Sequence, residues 1–98
     1  MFILVPGAEP ALVAGRQRAA QRARESRTYR LELRRLGLRI RSLRAEHKLT
    51  IERAAEKMDL DPTHLAKIEA GTINVSFVTL VRLARGLGLS VPQLFVSH

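Results

Sequence analysis

The sequence predicts an all-α protein of five short helices, two of them joined as a helix-turn-helix. Three observations lead there. From Tyr29 onward apolar residues recur at spacings of three and four, and no stretch of any length alternates with a period of two. Helix start and stop signals follow at short intervals, at Thr50, Asp61-Pro62, Gly71, Ser76 and Gly88. Between two of the predicted helices only the Asp59-Leu60 turn intervenes, so those helices must cross closely.

Each element has its own reason. Residues 1–15 hold Pro6, Gly7, Pro10 and Gly15 without periodicity and read as a loose arm. Residues 16–28 are rich in Ala, Arg and Gln, good helix formers, but offer almost no apolar face. A helix there is expected to depend on a bound partner or a neighbour to stay formed. Residues 1–28 are therefore read as a flexible or partly helical Arg-rich arm, and 29–98 as the folded domain. Tyr29, Leu33, Leu36, Ile40 and Leu43 form one stripe, which predicts a first core helix reaching about His47.

Thr50 is placed to cap a second helix, about Ile51 to Met58, by accepting from a backbone N–H near Arg53. Asp61 is the expected cap of the third, with Pro62 at the first helical position, where its missing N–H costs nothing. Gly71 ends it. Ser76 caps a fourth helix whose inner face is expected to be Phe77, Leu80, Ala84 and Leu87, and Gly88 stops it. Ser90 opens a last turn carrying Leu94 and Phe95.

The segment IERAAEKMDLDPTHLAKIEA, residues 51–70, meets the demands of a tight helix-turn-helix. Ala55 is the small residue where the helices touch. Ala54, Met58, Leu60, Leu65 and Ile68 fall at offsets that fill the angle between them. Asp59 must take a positive φ in the turn, which an Asp tolerates at a cost that Gly would avoid.

Charge divides the chain in two. The net charge is +8; residues 1–44 carry eleven arginines against Glu9, Glu25 and Glu32, while residues 45–98 balance six basic with six acidic side chains. All the excess lies in the N-terminal half, which points to a polyanionic partner. With no cysteine, neither a disulfide framework nor a cysteine zinc site is available. His47, His64 and His98 have no ligand-like pairing, so no metal or cofactor is expected. The apolar opening residues 1–5 are too few for a membrane span and lack a preceding basic residue, so the expectation is a soluble cytoplasmic protein. Neither a nucleophile beside a base nor a phosphate-cradling glycine loop is present, which argues against an enzyme.

Residues 36–95 resemble the phage-repressor-type (Cro/C1, or XRE) helix-turn-helix domain. The resemblance runs through Leu43-Arg44, Leu49-Thr50, Ala55, the IEAG at 68–71, the NVSF at 74–77 and the LARGLGLSVPQLF at 83–95. It implies a lambda-repressor-like domain that acts as a homodimer on a two-fold symmetric operator, its third helix in the major groove. Carried over position by position, the base-reading face is Pro62, Thr63 and Lys67, with His64 beside them. Thr50, Asn74 and Arg39 are the implied phosphate contacts. Arg44 and Glu69 match positions that pair as a structural salt bridge between the first and third helices. Val78, Val81, Leu89, Val91, Leu94 and Phe95 exceed what a small core absorbs and are expected to form the dimer interface.

The chain departs from the family pattern at four places. Ile51 stands where a phosphate-binding Gln is frequent, Ala54 where a leucine is, Thr72-Ile73 where a basic pair often follows the glycine, and Pro62 has no side-chain donor. These changes suggest that affinity leans on the Arg-rich N-terminal segment. The leading function is a transcriptional regulator of double-stranded DNA, such as a restriction–modification controller or an autoregulating repressor. The alternative is an antitoxin or interaction module whose residues 1–30 fold on a toxin. RNA binding ranks below both, because Tyr29, Phe2, Phe77 and Phe95 supply few stacking platforms.

Overall fold

A computed structural model describes residues 8–96, with side-chain surroundings from residue 15 onward. Residues 1–7, part of the expected loose arm, and His98 lie outside the described residues. Four α-helices and a closing 3-10 turn follow one another: α1 (Ala8–Glu46), α2 (Ile51–Met58), α3 (Pro62–Ala70), α4 (Phe77–Gly86) and the turn Pro92–Phe95. The all-α class stands, and among the described residues there is no strand. Of the five helices expected, the last is a single 3-10 turn and the first is far from short.

The N-terminal arm, expected to be flexible or partly helical, is helical from Ala8 onward. Helix α1 runs unbroken for 39 residues, through Pro10, Gly15 and the expected boundary at residue 28. Pro10 falls in the first turn, where its missing N–H has no intrahelical partner to lose. Gly15 weakens a helix interior but does not stop it. Nucleation is the costly step in helix formation, and the packed C-terminal end of α1 supplies the nucleus from which the Ala/Arg/Gln segment propagates. Local pairs add support: Arg30 donates to Ser26 Oγ at 2.8 Å, and Arg35 pairs with Glu32 at 3.3 Å. At 1.5 Å per residue α1 is roughly 58 Å long, and it sets the 62 Å long axis of the molecule.

The core lies entirely beyond residue 35. Leu36, Ile40 and Leu43 of α1 meet Ala54, Ala55 and Met58 of α2, Leu65 and Ile68 of α3, Leu83, Ala84 and Leu87 of the α4 end, and Leu94. Helix α3 packs on α1, α2 on both α3 and α4, and the 3-10 turn on α1. Tyr29, expected at the head of the buried stripe, is 47% exposed, and Leu33 is only partly covered. The stripe continues in phase past the point where any described element lies opposite it. Phe77, expected on the inner face of α4, is 68% exposed. It directly follows the Ser76 cap, on the rim of a helix whose buried face is Thr79, Leu83, Ala84 and Leu87.

Caps and turns sit where the residue types placed them. Thr50, Asp61 and Ser76 accept from the N–H groups of Arg53, Thr63 and Thr79 at 3.1, 2.8 and 3.2 Å. Asp59, Gly71 and Gly88 all adopt positive φ. The last turn is held by Gln93, whose Oε1 accepts from the Ser90 N–H at 2.8 Å and from its hydroxyl at 3.1 Å.

Candidate nucleic-acid interface

The outer side of α3 is the candidate reading surface. Leu65 and Ile68 bury one side of this helix, which leaves Thr63, Ala66, Lys67 and Ala70 exposed on the other. Their spacing of three, one and three puts them on a single face. Asp61 fixes the start of the helix and Pro62 occupies its first turn, exposed but without a donor. Lys67 enters no ion pair among the described residues, while its carbonyl accepts from the N–H of Thr72 at 3.1 Å and its hydroxyl at 3.2 Å. The side chain is therefore free to reach outward from a well-anchored backbone. His64 lies round the flank of α3 and is half-buried.

Helix α3 is clamped to α1 by two devices. Arg44 Nε donates to Glu69 Oε2 at 2.8 Å and Nη2 to Oε1 at 3.1 Å, a two-pronged pair with both side chains largely buried. A third Arg44 bond, from Nη1 to the Leu49 carbonyl at 2.9 Å, ties the same guanidinium to the turn before α2. The bond to Glu69 outweighs the cost of burial and holds the Arg44 pKa above its ordinary value. The second device is Gly37. A Cβ there would strike the backbone carbonyls of Ile68 and Glu69, so only glycine lets the two helices approach this closely.

The implied phosphate contacts divide. Thr50 is exposed at the start of α2; its oxygen accepts the cap bond, which leaves the hydroxyl proton to donate outward. Glu52 in the first turn of α2 partly offsets the positive end of that helix. Asn74 is exposed in the loop after α3. Arg39 is a correction. Its Nη2 donates to the Gln93 carbonyl at 3.2 Å and its Nε is buried without a partner, so the side chain is committed to the C-terminal turn. It lies on the flank of α1 away from α3 and is unavailable to a phosphate on that side.

Leu94 is a second correction, because it is 0% exposed and belongs to the core rather than to a dimer interface. The 3-10 turn folds it inward against α1. Leu89 and Val91 are partly buried against the core, Val81 is half-exposed, and Val78 and Phe95 are open at 61% and 57%. Sequence reasoning missed Phe77 as a surface residue and Gly37 as a close-approach residue.

A helix-turn-helix family profile matches residues 40–94, more than half of the chain. The chain belongs to the XRE-type helix-turn-helix family of DNA-binding transcriptional regulators. Control protein C.MunI of a Mycoplasma species is 40% identical over 62 residues, which cover 62% of this chain and 84% of that protein. The immunity repressor protein of Bacillus phage phi105 is 43% identical over 59 residues, 60% of this chain but only 41% of the repressor. The crystal structure of the restriction-modification controller protein C.AhdI from Aeromonas hydrophila superposes with a TM-score of 0.65 at 34% identity, covering 66% of this chain and 98% of that one. An XRE-type domain of ordinary size thus occupies about two thirds of the chain. Most of α1, residues 8–39, stands outside the family match.

Proposed function

We propose that the protein binds a two-fold symmetric operator in double-stranded DNA as a homodimer, with α3 in the major groove, and controls transcription there as a controller or autoregulating repressor. The observation that carries this reading is the exposed Thr63–Lys67 face of α3, held rigid by Arg44, Glu69 and Gly37. Thr63 offers a hydroxyl and a methyl to a base edge, and Lys67 has the reach for guanine O6 and N7. Thr50 and Asn74 flank that face as phosphate contacts that set register, and Pro62 and His64 border it. Val78, Val81 and Phe95, joined by Phe77, supply the apolar surface for the second copy, with Leu89 and Val91 at its edge. The relatives are controller and repressor proteins, which favours this reading over toxin neutralisation. Among the described residues no helix is long and apolar enough to cross a membrane.

Fluorescence anisotropy tests it, using the duplex just upstream of the gene against a scrambled duplex at about 150 mM salt. The wild type should prefer the upstream DNA by ~10³-fold or more. Lys67→Ala and Thr63→Ala should each erode that preference. Equal affinity for both duplexes in all three proteins would sink the reading and return the toxin-partner alternative to the front.

A further inference from the structure

We infer that α1 carries a second DNA-contact surface, an arginine stripe of Arg16, Arg27, Arg30, Arg34 and Arg41 that lies along the phosphate backbone beside the segment α3 reads. The inference rests on the proposed DNA-binding function and adds a surface to it.

Helical phase comes first. At about 100° per residue, these five arginines fall within roughly 60° of one another around α1. The other residues nearest this face are Ala20, Ala23, Leu38 and Ala45, so no carboxylate interrupts the stripe between Arg16 and Arg41, and the three alanines leave room for close approach. Glu25, Glu32 and Glu46 all lie more than about 130° round the helix from the centre of the stripe. There Glu25 accepts from Gln21, and Glu32 pairs with Arg35. Between Arg16 and Arg41 arginines point every way along α1, but the acids of that span, Glu25 and Glu32, are confined to the opposite side; Glu9, which shares the phase of the stripe, precedes it by seven residues.

Position comes second. The stripe lies beside the α1–α3 contact on the side away from the core. Gly37 and Arg44 face α3, and the backbone of Gly71, just after α3, lies so close to Arg34 that a Cβ on Gly71 would stand 2.8 Å from the Arg34 Cα. Arg34 and Arg41 therefore flank the reading helix, and Arg16, Arg27 and Arg30 extend the same line beyond the packed domain. Arg16 to Arg41 covers about 38 Å of helix, comparable to the ~34–36 Å of one duplex turn. The surface is long enough to meet phosphates outside the half-site itself.

Charge supplies the third argument. Residues 45–98, which include both helices of the helix-turn-helix, balance six basic with six acidic side chains. The charge that drives counterion release must come from α1. A stripe in register with α3 delivers that charge to the duplex while α3 is seated.

A matched pair of triple variants tests the surface. Arg16→Gln, Arg27→Gln and Arg30→Gln together remove three stripe charges; Arg18→Gln, Arg22→Gln and Arg24→Gln remove three from other faces of the same helix. All six positions are exposed and Gln is a good helix former, so circular dichroism should show helix content kept in both. Binding to the upstream and scrambled duplexes is then measured from 50 to 300 mM salt. The stripe variant should lower the log–log salt slope by about 2–3 per protomer and weaken binding on the order of a hundredfold at 150 mM. The off-stripe variant should change the slope by less than about one. Equal losses in the two variants, or no loss in either, would overturn the stripe. A duplex RNA that binds more tightly than DNA, and loses that advantage in the stripe variant, would overturn the assignment to DNA. The ratio between upstream and scrambled DNA belongs to α3, so loss of that ratio counts against the reading helix and leaves the salt-slope result to judge the stripe.

Discussion

Arg44 and Glu69 join α1 to α3 through two hydrogen bonds of 2.8 and 3.1 Å, with side chains only 18% and 7% exposed. Removing either partner strands the other in a site that water barely reaches. Arg44→Ala and Glu69→Ala should each cost roughly 3–5 kcal/mol, read as a fall in the urea midpoint. Arg44→Lys keeps the charge but cannot make the two-pronged contact or the Leu49 bond at once, so it should recover only part of the loss. A loss below about 1 kcal/mol, the range of a surface ion pair, would show that the pair does not hold α3 in place.

Two glycines in the same helix should respond in opposite directions. Gly37→Ala drives a methyl into the carbonyls of Ile68 and Glu69, which are backbone and cannot swing aside. It should destabilise by about 1–3 kcal/mol and displace α3, so DNA affinity falls with it. Gly15 has nothing within 4 Å of a built Cβ and a helical backbone. Gly15→Ala should raise helix content by circular dichroism and add ~0.5–1 kcal/mol of local helix stability. A helical gain at both positions would contradict the close α1–α3 approach.

Features that depend on a few neighbouring atoms were legible in the sequence. Thr50, Asp61 and Ser76 cap because each has an oxygen within reach of N–H groups two or three residues on, and Asp59, Gly71 and Gly88 turn because each tolerates positive φ. Lys48 also adopts a positive φ, of 57°, and its residue type gives no sign of it. Periodicity located the buried stripe of α1 but not its end, since phase does not say where a partner stops; Tyr29 is in phase and exposed. Arg39, Leu94 and Phe95 depend on how the final 3-10 turn docks onto α1, a long-range event with no local signature. In the candidate interface, residue types marked Thr63 and Lys67, whereas the closeness that Gly37 permits is visible only once α1 and α3 are in contact.

Leu94 and Phe95 are neighbours with different jobs. Leu94 is 0% exposed in the core, so Leu94→Ala should cost about 2–5 kcal/mol by thermal or urea unfolding. Phe95 is open, and Phe95→Ser should leave the monomer within about 1 kcal/mol of wild type while shifting self-association by sedimentation to higher concentration. Unchanged association in Phe95→Ser and in Val78→Ser would remove this face from the proposed dimer interface.

Arg39 and Arg41 are two residues apart and lie on nearly opposite sides of α1, roughly 160° round. Arg39 holds the Gln93 carbonyl and keeps an unpartnered buried Nε; Arg41 is exposed on the stripe. Arg39→Met preserves the apolar stem and removes both the hydrogen bond and the unsatisfied atom, so the two effects offset and stability should stay within ~1 kcal/mol. Its DNA salt slope should match wild type. Arg41→Gln should leave stability unchanged and lower the slope by about 0.9 per protomer. The reverse pattern, a slope that falls with Arg39 and holds with Arg41, would put the phosphate backbone on the C-terminal side of α1 and reassign the interface.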